Sequence, residues 1–302
     1  MALDVKIGIN PISWMNDDLP SLGADTPIET ALAEGSRIGY QGFELGGRFP
    51  KEAAALRAKL SAYGLACVSG WYSGRLAGRS VQEEIREVEP HLRLLTGNEA
   101  QVMVYGEVQD SIQGNLSAPL RERPRFGSLE AFTRYGERLT AFGRHLLGRG
   151  IRLAYHHHMG AYVQASEDVD TLMAVTGEEV GLLIDTGHAT FAGCDPAAML
   201  AKHTPRVCHV HLKDVRRGVM ETAHNRAWSF LQSVLNGVFT VPGDGSIDFA
   251  PVMALLDRAN YRGWLVVEAE QDPAVAHPYT YAKKGFEHVD GLVKALRRGA
   301  VR

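Results

Sequence analysis

Short apolar runs alternate along this chain with longer stretches of helical period. The runs at 5–10 (VKIGIN), 42–46 (GFELG), 65–72 (LACVSGWY), 100–107 (AQVMVYGE), 152–158 (RLAYHHH), 180–185 (VGLLID), 207–213 (VCHVHLK) and 264–270 (WLVVEAE) have the length and composition of strands. Between them the spacing predicts helices over 26–38, where Pro27 suits an N-terminus, and over the Ala-rich 51–63, stopped by Gly64. A third covers 80–96, with Pro90 as a kink point. Others run from Ser128 to about Leu147, from Ser166 to about Val175, over 195–203 behind Asp195 and Pro196, near 228–235, over 248–259 and over 278–298. Eight strands with intervening helices predict an α/β fold, a single (β/α)8 barrel over 1–302. The default of ~150 residues per domain would give two domains, but such barrels commonly run ~250 residues as one unit. No interdomain linker and no repeat of about 20–50 residues interrupts the pattern. The connection over 214–248 is too long for a turn, and such loops are usually functional.

Composition removes several classes. Apolar residues make up 45% of the 302 positions and charged ones 22%, enough for a core without staples, so collagen-like, disordered and disulfide-scaffold chains are excluded. The net charge of −3 lacks the basic excess of a nucleic-acid binder. Cys67, Cys194 and Cys208 are odd in number and far apart, which reads as reduced, packed thiols. The N-terminal MALDVKIGIN carries Asp4 and no apolar run of signal-peptide length, and no stretch of ~18 uncharged apolar residues spans a membrane. The expected compartment is the cytoplasm.

In this fold chemistry gathers at the C-terminal ends of the strands. Those ends carry Asn10, Glu44, Glu107, His156, His157, His158, Asp185, His188, His209, His211, Lys213, Glu268 and Glu270, and six of the twelve histidines are among them. Strand parity sorts the set: His209, His211 and Lys213 share one face, as do Glu268 and Glu270, while Leu265, Val267 and Ala269 share the other. Imidazole and carboxylate donors without thiolate suit Mn, Co, Zn or Fe(II). Asp185, His211 and Glu268, from strands six, seven and eight, are the best three ligands, and His156 is the choice for a fourth, with His158 or water as alternatives. The plain readings stand beside these: Asp185 as a turn cap, His211 as a core histidine, Glu268 as an ion-pair partner of Lys213, Arg216 as half of a solvated pair. Gly243-Asp244-Gly245 reads as a turn, lacking the Lys of a phosphate loop.

The segments LLIDTGHA, HVHLKD and VVEAE resemble the xylose isomerase-like sugar isomerases, epimerases and dehydratases. Within that group GINPISWMNDDLPSLGADTP, GFELGGRFP, AYHHHMG, FTVPGDGSIDF and VVEAEQDPAVAHPYTYAKKG resemble the inosose dehydratase family from end to end. The resemblance implies loss of water from 2-keto-myo-inositol to give a trihydroxycyclohexanedione in inositol catabolism. It further implies Mn2+ or Co2+ and a response to glutathione. The wider group holds its metal by a carboxylate on strand five, Asp on six, His on seven and Glu on eight. Asp185, His211 and Glu268 match the last three, and His156 departs from the first.

For such a reaction a base must take the proton beside the ketone, and hydroxide must leave protonated. Glu44 and Glu270 are the base candidates, and Lys213, His158 and His188 the acid candidates. Asn10, Trp14, His188 and Arg216 are expected to bind the hydroxyls. The expected partner is a small polyhydroxylated cyclic ketone, with no nucleic acid, no membrane and a homo-oligomer left open. A metal-dependent keto-sugar isomerase or epimerase is the alternative, and a non-catalytic sugar-binding module is a second rival.

Overall fold

The computed structural model describes residues 3–299. Its strands are β1 (Asp4–Ile9), β2 (Gly42–Leu45), β3 (Ala66–Gly74), β4 (Val102–Glu107), β5 (Arg152–His156), β6 (Val180–Asp185), β7 (Val207–Leu212), β8 (Asp214–Val215), β9 (Phe239–Thr240) and β10 (Arg262–Val267). Eight of them close into a parallel barrel in the order β1-β10-β7-β6-β5-β4-β3-β2, while β8 and β9 pair antiparallel as a separate ribbon. The helices are α1 (Ile28–Ile38), α2 (Ala53–Ser61), α3 (Val81–Thr96), α4 (Leu129–Leu147), α5 (Ser166–Val175), α6 (Thr186–Phe191), α7 (Pro196–His203), α8 (Arg217–Asn225), α9 (Phe230–Leu235), α10 (Ala250–Arg258) and α11 (Pro278–Arg297). The expected α/β barrel is the observed one.

Helix starts follow local chemistry. Ser80 and Glu83 form a reciprocal capping box on α3, Ser128 accepts from Ala131 N at the start of α4, and Asp195 accepts from Ala197 N and Ala198 N ahead of Pro196. Helix α3 runs unbroken through Pro90. Two short helices were not expected: α6, capped by the Asp185 side chain, and α8, inside the long connection.

The strand pleat divides the side chains as the alternation predicts. Leu153, Tyr155, Leu182, Ile184, Val210, Leu212, Leu265 and Val267 point outward into one large core under the helices. The inward set is layered. Val104, Ala154 and Leu183 make a small apolar cluster with Trp71, Val102 and Cys208. Two residues further along their strands, Ala154 and Leu183 give way to the buried polar His156 and Asp185. A cavity of about 910 Å3 opens at the opposite, N-terminal mouth among Lys6, Arg152, Arg262 and Trp264, reaching His209 but none of the ligand candidates.

Five expected strands end earlier than their sequence suggests, two of them by the single residues Asn10 and Gly46. Barrel pairing stops at His156, at Leu212 and at Val267, so His157, His158, Lys213, Glu268 and Glu270 lie just past the strand ends. Residues beyond the last barrel hydrogen bonds still follow the pleat's direction, and Glu268 N continues the pattern by donating to Leu212 O at 3.2 Å. The long connection is ordered rather than loose. Phe230, Leu231, Val234, Val238 and Phe239 bury themselves against Met159, Phe191 and Val215 as a second small core above the barrel. Among the described residues no helix is long and apolar enough to cross a membrane, and all three cysteines are free thiols.

Candidate active site

Four of the sequence candidates converge at the C-terminal mouth. One donor atom each from His156, Asp185, His211 and Glu268 lies within 4.8 Å of the others, and all four residues are buried. Asp185 is placed for both readings considered for it. Its Oδ1 accepts from His188 N at 2.8 Å, capping α6, which leaves Oδ2 for the cluster, 3.5 Å from His156 Nε2 and 3.6 Å from His211 Nδ1.

The second ring nitrogen of each histidine decides which atom faces inward. His156 Nδ1 lies 2.7 Å from His157 O, so it carries the proton and leaves the Nε2 lone pair toward Asp185. His211 Nε2 donates to Glu44 Oε1 at 3.2 Å, leaving the Nδ1 lone pair toward Asp185 and Glu268. Asp185 Oδ2, His211 Nδ1 and Glu268 Oε2 are buried against one another, with Lys213 Nζ beside Oδ2, and none of the three makes a hydrogen bond of good geometry. Buried polar atoms are nearly always paired, so three orphans aimed at one point fit a divalent cation. Charge agrees: the Glu44, Asp185 and Glu268 carboxylates are buried near a single buried ammonium, Lys213.

A second polar group adjoins the first. Lys213 Nζ is 2.8 Å from Glu270 Oε1, 3.2 Å from Asp185 Oδ2 and 3.7 Å from Glu268 Oε1. Its stem packs on Gly187, where a Cβ would fall 2.5 Å from Lys213 Cγ, so only glycine admits the lysine here. Burial works against the Lys213 charge, but Asp185, Glu268 and Glu270 more than offset it and raise its pKa. Burial pushes the Glu270 carboxyl up to about 8, Lys213 opposing and Glu268 adding to the rise. His188 Nε2 faces Glu270 Oε1 at 3.4 Å, and its ring lies 4.0 Å from that of His158. Burial, reinforced by Lys213, holds both imidazoles well below their ordinary value, so they are neutral. Phe230 packs on both rings, and Phe239 lies 5.2 Å from His188 and 4.9 Å below the ammonium.

Glu44 sits elsewhere than a free base would. Asn10 Nδ2 donates to its Oε2 at 2.8 Å, Ser69 Oγ donates to Oε1, and His209 Nε2 and His211 Nε2 also bond it. Burial works against its charge, but the two imidazoles hold its carboxyl well below the usual range. Asn10 is thereby committed to Glu44. Two sequence candidates for hydroxyl binding are not brought to the cluster. Trp14 is buried against Phe43 and donates from Nε1 to Glu34 at 2.6 Å, because the chain turns away at Pro11–Ser13. Arg216 is consumed by Gly237 O, Phe239 O, Thr240 and Asp244, tying the β8–β9 ribbon together. The expected turn at Gly243–Gly245 wraps the Asp214 carboxylate, which accepts from Gly243 N, Gly245 N and Ile247 N.

Sequence spacing missed Ser69, Trp71 and Asp18. Trp71 packs edge-on against His156 and His158 with centroids 5.5 and 5.9 Å away. Its signal was a tryptophan near a strand's C-terminal end. Asp18 and Ser69 carried no signal. Asp18 lies in the loop after β1, where burial pushes its carboxyl up to about 6, Lys213 opposing and Glu268 adding.

Glu107, at the end of β4, belongs to a separate network. It accepts from Tyr105 OH, Gln109 N and Ala77 N, yet burial pushes it from 4.5 up to about 7. A carboxyl raised on folding holds its proton better in the native state than in the unfolded chain. Its contribution is therefore most favourable below about pH 4.5 and declines as pH rises to about 7. Glu107→Gln is expected to remove that decline, roughly 3 kcal/mol. Urea unfolding of both proteins across this range checks it, and an unaltered pH slope in the variant contradicts it.

Comparison with known proteins shows the family. A family model described as xylose isomerase-like TIM barrel matches residues 32–292, and the chain belongs to that family. L-ribulose 3-epimerase shares the fold, with a TM-score of 0.69 at 14% identity over 98% of this chain and 97% of that one. Within the family this chain groups with the inosose dehydratases. It is 42% identical to the inosose dehydratase of Geobacillus thermodenitrificans (strain NG80-2) over 286 residues, 94% of this chain and 96% of that protein. It is also 47% identical to the rhizopine catabolism protein MocC of Rhizobium meliloti, over 97% of this chain and 90% of that protein.

Proposed function

We propose that this chain, read as one barrel domain over 1–302, is a dehydratase of inositol catabolism. It removes water from 2-keto-myo-inositol (scyllo-inosose) to give 3D-(3,5/4)-trihydroxycyclohexane-1,2-dione. The substrate comes from the inosose dehydratase relatives. The observation that carries the chemistry is the juxtaposition of a four-ligand cluster with the Lys213–Glu270–His188 group.

His156, Asp185, His211 and Glu268 would hold a divalent cation, Mn2+ or Co2+ by their nitrogen and oxygen donors. Bound there, the cation supplies Lewis-acid stabilisation of charge on the ketone oxygen. Glu44 orients His211 through its Nε2 proton and is not the base. That leaves Glu270, whose Oε2 has no partner, to take the proton from the carbon beside the ketone in its ionised form, the form that gains as pH rises toward about 8. Lys213 gives a proton to the departing hydroxyl, which leaves as water, and the enol so formed becomes the second ketone. Glu270 then returns its proton to Lys213 along their 2.8 Å contact, restoring both groups. His158 and His188, neutral and backed by Phe230, line this side for substrate hydroxyls and exclude water.

Incubating the purified protein with 2-keto-myo-inositol and Mn2+ is expected to yield a dicarbonyl lighter by one water, read by mass spectrometry. A product of unchanged mass would make it an isomerase or epimerase, and no product with any divalent ion would leave a binding module. Chelation followed by back-titration with Mn2+ and Co2+ tests the metal, and glutathione is assayed as an additive. We place the protein in the cytoplasm, consistent with its three free thiols, and light scattering reads its oligomeric state.

A further inference from the structure

The loop after β1 is built to hold one carboxylate over the mouth of the barrel. Asn16, buried, accepts at Oδ1 from Asp18 N and Leu19 N, both at 2.9 Å, fixing the turn that carries Asp18. Asp17 points the other way and accepts from Gly47 N at 2.8 Å. A Cβ on Gly46 would fall 2.6 Å from the Asp17 carboxylate, so glycine lets that side chain lie close against the loop after β2. Leu19 packs on the small core around Phe230 and Phe239 that walls His158 and His188. Thus Asp17 and Leu19 anchor the loop on two sides and Asp18 is left between them.

Asp18 is half-buried, and its electrostatic neighbours are Lys213 and Glu268. Its side-chain contact crosses to the loop after β4, where Gln113 Nε2 lies 3.5 Å from Oδ1. Gln113 is itself held: its Oε1 accepts from Ser111 Oγ at 2.9 Å. On the adjoining rim, Asn16 Nδ2 is buried without a partner. The buried Asn16 amide and the Asp18 carboxylate put a donor and an acceptor on one turn pinned between the loops after β2 and β4, which fits a ring that carries hydroxyls all round.

We propose that Asp18, steadied by Gln113, is a specificity residue that accepts hydrogen bonds from ring hydroxyls of the polyol and orients the ring over the site. This rests on the function proposed above. A carboxylate suits the role because it only accepts, and one carboxylate can take two neighbouring hydroxyl donors. A site built to bond a hydroxyl also rejects an analogue lacking it, since the carboxylate is then left without its donor.

The test is calorimetric binding of myo-inositol, and steady-state conversion of 2-keto-myo-inositol, by the wild-type protein, Asp18→Asn and Gln113→Ala. Asp18→Asn is expected to raise Kd and KM by about 10- to 100-fold, the range for a charge-assisted hydrogen bond. It is also expected to erase the preference for the full polyol over a monodeoxy analogue, with bound metal and melting temperature as in the wild type. Gln113→Ala shifts Kd in the same direction by less. If Asp18→Asn binds and discriminates as the wild type does, Asp18 is not the reader, while the dehydratase reading stands. If the wild-type protein itself neither binds nor converts the polyols, both fall, and that result appears in the wild-type arm alone.

Discussion

His211→Ala is expected to strip the protein of its divalent cation and to lower turnover by about a thousand-fold or more. His211 is the ligand candidate that faces carboxylates on both sides, its Nδ1 toward Asp185 and Glu268 and its Nε2 bonded to Glu44. Its loss removes a donor from the cluster and leaves Glu44 with its charge less well compensated. Burial works against the imidazolium, but Glu268 and Glu44 hold its pKa well above the ordinary value in the cation-free protein. The cation-free variant is therefore expected to be less stable by about 3–5 kcal/mol, the cost of breaking a buried pair. Lewis-acid assistance of several kcal/mol sets the activity loss. Elemental analysis after dialysis, with a rate measurement, reads both. Full metal content and full rate in His211→Ala would refute the ligand assignment.

Lys213→Met is expected to separate the two halves of the site. Methionine fills a similar unbranched volume over Gly187, so the barrel mouth keeps its shape. The metal cluster keeps all four donors, and the cation should bind at least as well without an ammonium 3.2 Å from Asp185. Turnover should nonetheless fall by about 10²- to 10⁴-fold, the usual share of a positioned proton donor. Glu270→Gln should fall comparably, because it removes the proton acceptor and the partner that recharges Lys213. If Lys213→Met retains its metal and turns over within about threefold of wild type, proton transfer does not pass through Lys213.

Much of this was legible before any coordinates. Alternation put Leu265 and Val267 on one face and Glu268 on the other, and set His209, His211 and Lys213 on one shared face, while the closed barrel showed which face turns inward. Those assignments hold because the pleat is a local property of extended chain. Roles were less legible. Glu44 and Glu270 looked alike as spare carboxylates, yet four side chains enclose Glu44 whereas Glu270 keeps an unpartnered oxygen. Trp14 and Arg216 had suitable chemistry and the wrong neighbours.

The succession of strands, the sorting of their side chains onto two faces and the choice of ligand candidates at the strand ends followed from local pattern, since each depends on where a residue falls in a repeating backbone. Which nitrogen of each imidazole is free, which carboxylate is enclosed and which loop hangs over the mouth depended on contacts between residues far apart in the chain, as His211 is 167 positions from Glu44. Hydrogen bonding and burial act through space, and only the closed barrel sets those distances.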